Sequence, residues 1–276
     1  MIPGFLLSLR EGLEAALIIG IVLGVLRKLN RPGLNRVVWS GVATAALLSL
    51  IAALVLHLVG ASLKDEAEVI FEGITMLLAA GVLTWMIFWM RRQASAIRSE
   101  LESGVRRAVL GSSQKALFAL AFIAVLREGV ELALFLTAAA LANGAQQTLS
   151  GALLGLGTAA LLGWSLFAST VRLDLRRFFQ ATGVLLILFA AGLVAHGVHE
   201  FNEVCWIPAI IEHVWDINPI LSDKSILGEM LTALFGYNGN PSLTEVLAYL
   251  GYFIAIGCSL WFGSGRKVDV QPAKAD

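Results

Sequence analysis

Two short words in the sequence place charge where the surrounding composition is apolar. Leu9-Arg10-Glu11-Gly12-Leu13-Glu14 and Leu126-Arg127-Glu128-Gly129-Val130-Glu131 each set one arginine and two carboxylates into an apolar run, 117 residues apart. On a helix, residues three and four apart share a face, so Arg10, Glu11 and Glu14 sit together, as do Arg127, Glu128 and Glu131. Pooled, the two words hold four carboxylates and two guanidiniums, a formal charge of −2 that a divalent or trivalent cation would bring to 0 or +1. The donors are hard oxygens with no cysteine nearby, which suits Fe(III), Mn, Mg or Ca and argues against Cu(I) or a thiolate zinc site. The plainer reading is that each arginine pairs with its glutamates to lock helix packing. That reading does not account for two acids per arginine in both words.

The elements that carry these words follow from composition. Of 276 residues, 58% are hydrophobic and 14% charged, with a mean hydropathy of +0.80, against about 25% charged in an ordinary soluble domain. This is the composition of an integral membrane protein. A disordered chain needs the opposite balance, and a disulfide scaffold needs more than two cysteines. With 20 Lys+Arg against 20 Asp+Glu there is no net basic field for nucleic acid. Seven apolar stretches approach or exceed the roughly 18 residues that cross a hydrocarbon core: about 3–26, 37–61, 69–90, 116–142, 149–171, 178–198 and 244–262. The expected fold is all-α, one polytopic membrane domain over 1–276. The first stretch has no basic region ahead of it and contains Arg10, Glu11 and Glu14, so it reads as a span and not a cleaved signal.

Sixteen basic residues fall in the segments on one side of these spans and only Lys64 and Lys224 on the other. The positive-inside rule then puts the N-terminus in the periplasm and the C-terminus in the cytoplasm. Trp39, Trp85, Trp89 and Trp261 lie near expected cytoplasmic ends, where an aromatic belt belongs, while Trp164 reads as a packing residue. The arginines of the segment between spans three and four, with Glu100 and Glu102 among them, suggest an amphipathic helix on anionic lipid. Beyond the charged words, Thr44-Ala-Ala-Leu-Leu48 matches Thr158-Ala-Ala-Leu-Leu162, and Ala79-Ala80-Gly81 matches Ala190-Ala191-Gly192. The constant order and offset indicate two repeats, about 3–90 and 116–198. Three spans separate the copies, so they are inverted in topology, a plan that places substrate sites near the midplane. The span at 244–262 stands outside the duplication.

Between the sixth and seventh spans, the expected periplasmic segment from about 196 to 243 contains His196, His199, Glu200, Glu203, Glu212, His213 and Asp216. Ten acids against two basic residues make the outer face about −8, a field that steers cations inward. Glu200 and Glu203, beside His196 and His199, fit either a metal entrance or a solvated helix end. Glu72, one turn beyond Glu68, fits the lining of a pathway, the other reading being that Glu68 simply marks an interfacial helix start, and His57 reads as an interfacial or hydrogen-bonded residue. Val204 to Trp215, interrupted by Pro208, reads as an interfacial or re-entrant piece. Cys205 and Cys258 are expected to be unbridged, since one lies within hydrocarbon and the other outside it.

The duplicated Arg-Glu-Gly-x-Glu words in seven spans resemble the oxidase-dependent iron permease family, with the bacterial EfeU-type branch nearest. Phe71-Glu72-Gly73, Leu83-Thr-Trp-Met-Ile-Phe-Trp-Met90 followed by Arg91, Ala190-Ala-Gly-Leu193, and Phe235-Gly-Tyr-Asn-Gly-Asn-Pro-Ser242 leading into Glu245 carry the same resemblance. It implies an iron importer of the inner membrane whose iron-passing carboxylates are Glu11, Glu14, Glu128 and Glu131, with Arg10 and Arg127 completing the motifs. It further implies iron supplied as Fe(II) and passed as Fe(III), no permanent cofactor, and a periplasmic iron-binding or iron-oxidising protein and a haem peroxidase as partners. Val130 stands where the family commonly has Leu. Two other readings remain at this stage. One is a transporter of another hard divalent cation such as Mn. The other is a membrane-embedded metalloenzyme, although its usual signature of Glu with His three residues later is absent from both words.

Overall fold

The computed structural model describes residues 1–111, 113–168, 175–223 and 225–264. Arg172, Lys224, Arg266, Lys267 and Lys274, counted above for orientation, lie outside them, as do the side chains of Arg91, Arg92, Arg98, Arg176 and Glu229. Every regular element among the described residues is helical: α1 Ile2–Lys28, a 3-10 turn Pro32–Leu34, α2 Asn35–Ser62, α3 Glu66–Leu110, α4 Gln114–Asn143, α5 Ala145–Ala168, α6 Leu175–Glu203, α7 Ile226–Phe235 and α8 Leu243–Ser264. Local chemistry sets several ends. A proline opens the first turn of α1, where its missing N–H costs nothing. Ser113 caps α4 by accepting from the Ala116 N–H at 3.2 Å. Gly144, at φ 87°, breaks the chain between α4 and α5.

Five of these helices are long and apolar enough to cross a membrane: Pro32–Ser62, Glu66–Met90, Ala145–Leu166, Arg177–Glu203 and Leu243–Trp261. The other two expected spans fall on α1 and α4. These are long enough, at 27 and 30 residues, but each carries three charges in mid-helix. Outward faces are apolar, as a lipid solvent requires. Leu50, Leu54 and Leu58 of α2 and Leu247, Leu250 and Ile254 of α8 are all exposed.

The helices pair in a definite pattern. α1 and α5 run parallel, with Met1 and Phe5 against Gly151, Ser8 and Leu9 against Gly155, Gly12 opposite Ala159 and Ala16 opposite Gly163. α2 and α4 also run parallel, with Gly41 on Phe118 to Phe122 and Ser49 on Gly129. α3 and α6 are antiparallel, with Gly73 at Gly197 and Gly183 nearest Ile87. α1 and α4 meet between these pairs. A Cβ on Gly12 would lie 2.7 Å from the Ala159 methyl, and one on Gly129 would overlap the Ser49 side chain. Small residues therefore hold both charged helices tightly to their neighbours, the close approach that drives packing where lipid offers no hydrophobic gain.

Four expectations change. The segment after the third span is not a separate helix: α3 continues unbroken to Leu110, and its Val105 and Ala108 are buried against Val22, Leu26, Val38, Leu117 and Ala121. Its apolar stripe is spent on protein, not lipid. The segment read as periplasmic contains α7, which the pattern did not signal because ten residues are too few to establish a period. α7 packs on α6, α1 and α4. At its end Gly236, at φ 66°, sits against Gly192, eleven residues before the end of α6. Trp164 is 72% exposed, so it is not a buried packing residue. Trp89 turns inward, onto Arg127. Cys205 and Cys258 are unbridged, as expected.

Candidate metal centre

The charged words lie where α1 and α4 cross. Arg10 is 2% exposed and Glu11 1%, with Glu14 and Glu128 also buried. Arg10 pairs with acids ahead of it on its own helix, with Nε 3.2 Å from Glu14 Oε1 and Nη1 4.0 Å from Glu11 Oε1. On α4, Arg127 donates to Glu128 Oε1 from Nη2 at 2.7 Å and from Nε at 3.1 Å. The same Nε lies 3.6 Å from Glu131 Oε1. Each word thus neutralises itself in part through the spacing of one, three and four residues that a helix turns to one side.

The cluster crosses between helices. One carboxylate oxygen from each of Glu11, Glu128 and Glu131 lies within 4.8 Å of the others. A hard cation held at about 2.0–2.6 Å by oxygen sees its ligand atoms separated by about 3–5 Å, so the three fit one ion. Glu14 stays outside this trio, tied to Arg10. Both oxygens of Glu11, and one each of Glu14, Glu128 and Glu131, are buried without a hydrogen-bond partner. Buried carboxylate oxygens left so are costly. A cation at the trio would satisfy oxygens of all three of its members. Val130 points away and is 45% exposed, so the valine at this position does not touch the cluster.

A model of the iron permease FTR1 family matches residues 1–264. The chain belongs to this family. Ferrous iron permeases EfeU of Escherichia coli O157:H7 and Shigella sonnei are each 36% identical to it over 256 residues, covering 92% of this chain and 93% of theirs. The EfeU of Yersinia pestis is 35% identical over 92% of this chain and 91% of its own. No solved structure matches. With α2, α3, α5, α6 and α8 long and apolar enough to span, this FTR1-family chain is a membrane protein.

The residues expected at the entrance of this permease divide into two groups. Glu72 of α3 and Glu200 of α6 lie within electrostatic reach of one another across the Gly73 contact, together with Glu68 and Glu203. His199 instead joins α6 to α8: its Nδ1 is 3.0 Å from Glu245 Oε1 and its Nε2 3.5 Å from Glu203 Oε1. Glu245, which the sequence marks as an outer acid at the end of the Phe235–Ser242 block but not as a site residue, is buried and fully engaged, accepting also from Asn238 Nδ2 at 2.8 Å and the Ser242 N–H at 3.1 Å. It ties the turn after α7 to α6. His196 donates from Nδ1 to the Gly192 carbonyl at 3.0 Å, and His57 is exposed. Sequence reasoning missed Glu245 because its partners stand 46 and 7 residues away.

Proposed function

We propose that this FTR1-family permease imports iron across the cytoplasmic membrane through the carboxylates of its two Arg-Glu-Gly-x-Glu words. The observation that carries the reading is the convergence of Glu11, Glu128 and Glu131 within 4.8 Å, buried and with unpartnered oxygens. Glu14 completes the set as a further acceptor beside Arg10. In this reading α1 to α6 and α8 are the seven spans, with the N-terminus in the periplasm and the C-terminus in the cytoplasm. The parallel pairing of α1 with α5 and of α2 with α4 supports two interlocked inverted repeats, because each pair is the image of the other under exchange of the halves.

Cations gather at the acidic outer face and meet Glu72, Glu200 and Glu203. They then pass to the α1–α4 cluster, whose buried oxygens replace the lost water. Iron is supplied as Fe(II) and meets the cluster in that state or, where a periplasmic partner has first oxidised it, as Fe(III), since the words themselves supply only redox-inert oxygen ligands. Rocking of the halves about the cluster then opens it to the cytoplasm. Radioactive iron uptake into proteoliposomes tests this: Glu131→Ala abolishes uptake, and unlabelled Mn competes only weakly. Uptake unchanged by Glu131→Ala refutes the site, and Mn competing as well as unlabelled iron refutes the substrate.

A further inference from the structure

The block Leu83 to Met90 supplies no carboxylate, yet its last two residues touch both motif arginines. Arg127 lies over the ring of Trp89, with Cζ 4.7 Å from the centroid. Arg10 donates from Nη2 to Met90 Sδ at 2.8 Å. Two adjacent residues on α3 thus hold guanidiniums from two different helices. Every member of the carboxylate trio also lies close to one of these arginines: Glu11 to Arg10, and Glu128 and Glu131 to Arg127. A metal ion entering the trio therefore shares its carboxylates with the arginines and meets their charge at close range.

We infer that Trp89 and Met90 are positioning residues for cation binding, holding Arg127 and Arg10 at the edge of the carboxylate cluster as tethered counter-cations that the metal pushes toward α3. The chemistry of the two contacts fits that task. An aromatic face attracts a guanidinium without consuming an acceptor oxygen, and a thioether is a weak acceptor. Each steadies an arginine beside the carboxylates, Arg127 while it stays on Glu128 and Arg10 while it stays by Glu14, without taking an acceptor oxygen from the cluster. Arg10 is 2% exposed, so water does not take this role. α6 lacks the equivalent pair. The offset that relates Ala79-Ala80-Gly81 to Ala190-Ala191-Gly192 carries Trp89 and Met90 to Glu200 and Phe201, and Phe201 stacks on Trp206 at 5.7 Å. The device belongs to α3 alone and gives the two sides of the cluster different chemistry.

This inference rests on the reading that Glu11, Glu128 and Glu131 bind the transported iron. The test is anaerobic Fe(II) titration of the purified full chain by calorimetry. Trp89→Leu weakens Fe(II) binding between about two- and thirtyfold, the range of a lost cation–π contact, because freed Arg127 closes on Glu131, which it now approaches only to 3.6 Å. Trp89→Phe, which keeps an aromatic face, recovers most of the affinity. In an Arg127→Gln background Trp89→Leu has no further effect, since it acts through that guanidinium. Equal losses with and without Arg127, or Trp89→Phe as weak as Trp89→Leu, overturn the inference. If Trp89→Leu does not fold, Met90 decides: Met90→Leu weakens binding and Met90→Gln, which restores an acceptor, recovers it, whereas equal affinities in all three overturn it. Wild-type affinity retained by Glu131→Gln places the failure in the carboxylate reading itself, and the inference falls with it.

Discussion

Replacing Arg10 by glutamine removes one buried cation and leaves Glu11 and Glu14 facing each other without it. The three side chains are 2%, 1% and 7% exposed, so water cannot take the place of the guanidinium. Removing one partner of a buried ion pair costs about 3–5 kcal/mol, because the remaining charge is uncompensated. The matching change on α4 is milder: Glu128 is buried, but the Arg127 side chain is 40% exposed, so water replaces part of the guanidinium and the cost falls between the roughly 1 kcal/mol of an exposed pair and the buried value. Near the melting point, 1 kcal/mol shifts Tm by about 2–4 °C for chains of 150–250 residues. Arg10→Gln therefore lowers Tm by about 6–20 °C, and Arg127→Gln lowers it by less. Thermal unfolding in detergent, followed by the fluorescence of the seven tryptophans, measures both. Adding Glu14→Gln to Arg10→Gln recovers part of the loss, since one of the two uncompensated carboxylates is gone and Glu11 no longer faces a second charge. Equal destabilisation by Arg10→Gln and Arg127→Gln refutes the burial argument, and so does a double variant no more stable than Arg10→Gln alone.

Matching positions in the two halves respond differently. Gly192→Ala drives a methyl to 2.7 Å from Gly236 Cα, whereas Gly81 has nothing within 4 Å. The first lowers Tm and the yield of folded protein, and Gly81→Ala leaves both unchanged or slightly raised. Gly129→Val collides with Ser49 and separates α4 from α2. Size-exclusion profiles show loss of the monodisperse peak, and Ser49→Gly partly restores it. Glu245→Ala leaves His199, Asn238 and the Ser242 N–H without their acceptor. Hydrogen exchange across 236–242 then rises while that of α1 does not. Cu(I) leaves Fe(II) binding undisturbed, as expected of an oxygen-only trio, and a competitive copper isotherm contradicts that assignment.

The charged words were legible because charge in an apolar run is conspicuous and because helical periodicity puts residues three and four apart on one face. The structure keeps that geometry in Arg10 with Glu14 and in Arg127 with Glu131. What periodicity could not supply was which carboxylates of one word meet those of the other. Glu11 joins Glu128 and Glu131 while Glu14 stays with Arg10, because that choice depends on how far α1 and α4 rotate as Gly12 and Gly129 seat against Ala159 and Ser49. Contacts with long sequence separation were likewise invisible. Met90 lies 80 residues from Arg10, and neither thioether nor indole announces a guanidinium partner. Hydropathy ended the third span at Met90 because the arginines begin there. The helix itself continues, since nothing in Arg91 to Leu110 breaks it: there is no proline, and its glycine, Gly104, closes against Leu120.

The central claim is that transported iron is held by carboxylates from both halves of the chain. Iron binding and iron flux measured on the same proteoliposomes, for the wild-type chain and for Glu11→Gln, Glu128→Gln and Glu131→Gln singly, test it most directly. The account predicts that each variant folds, retains its yield, and loses both bound iron and uptake together, with Glu11→Gln as damaging as the two changes on α4. Uptake that survives any one of the three, or iron that binds undiminished while flux is lost, contradicts it.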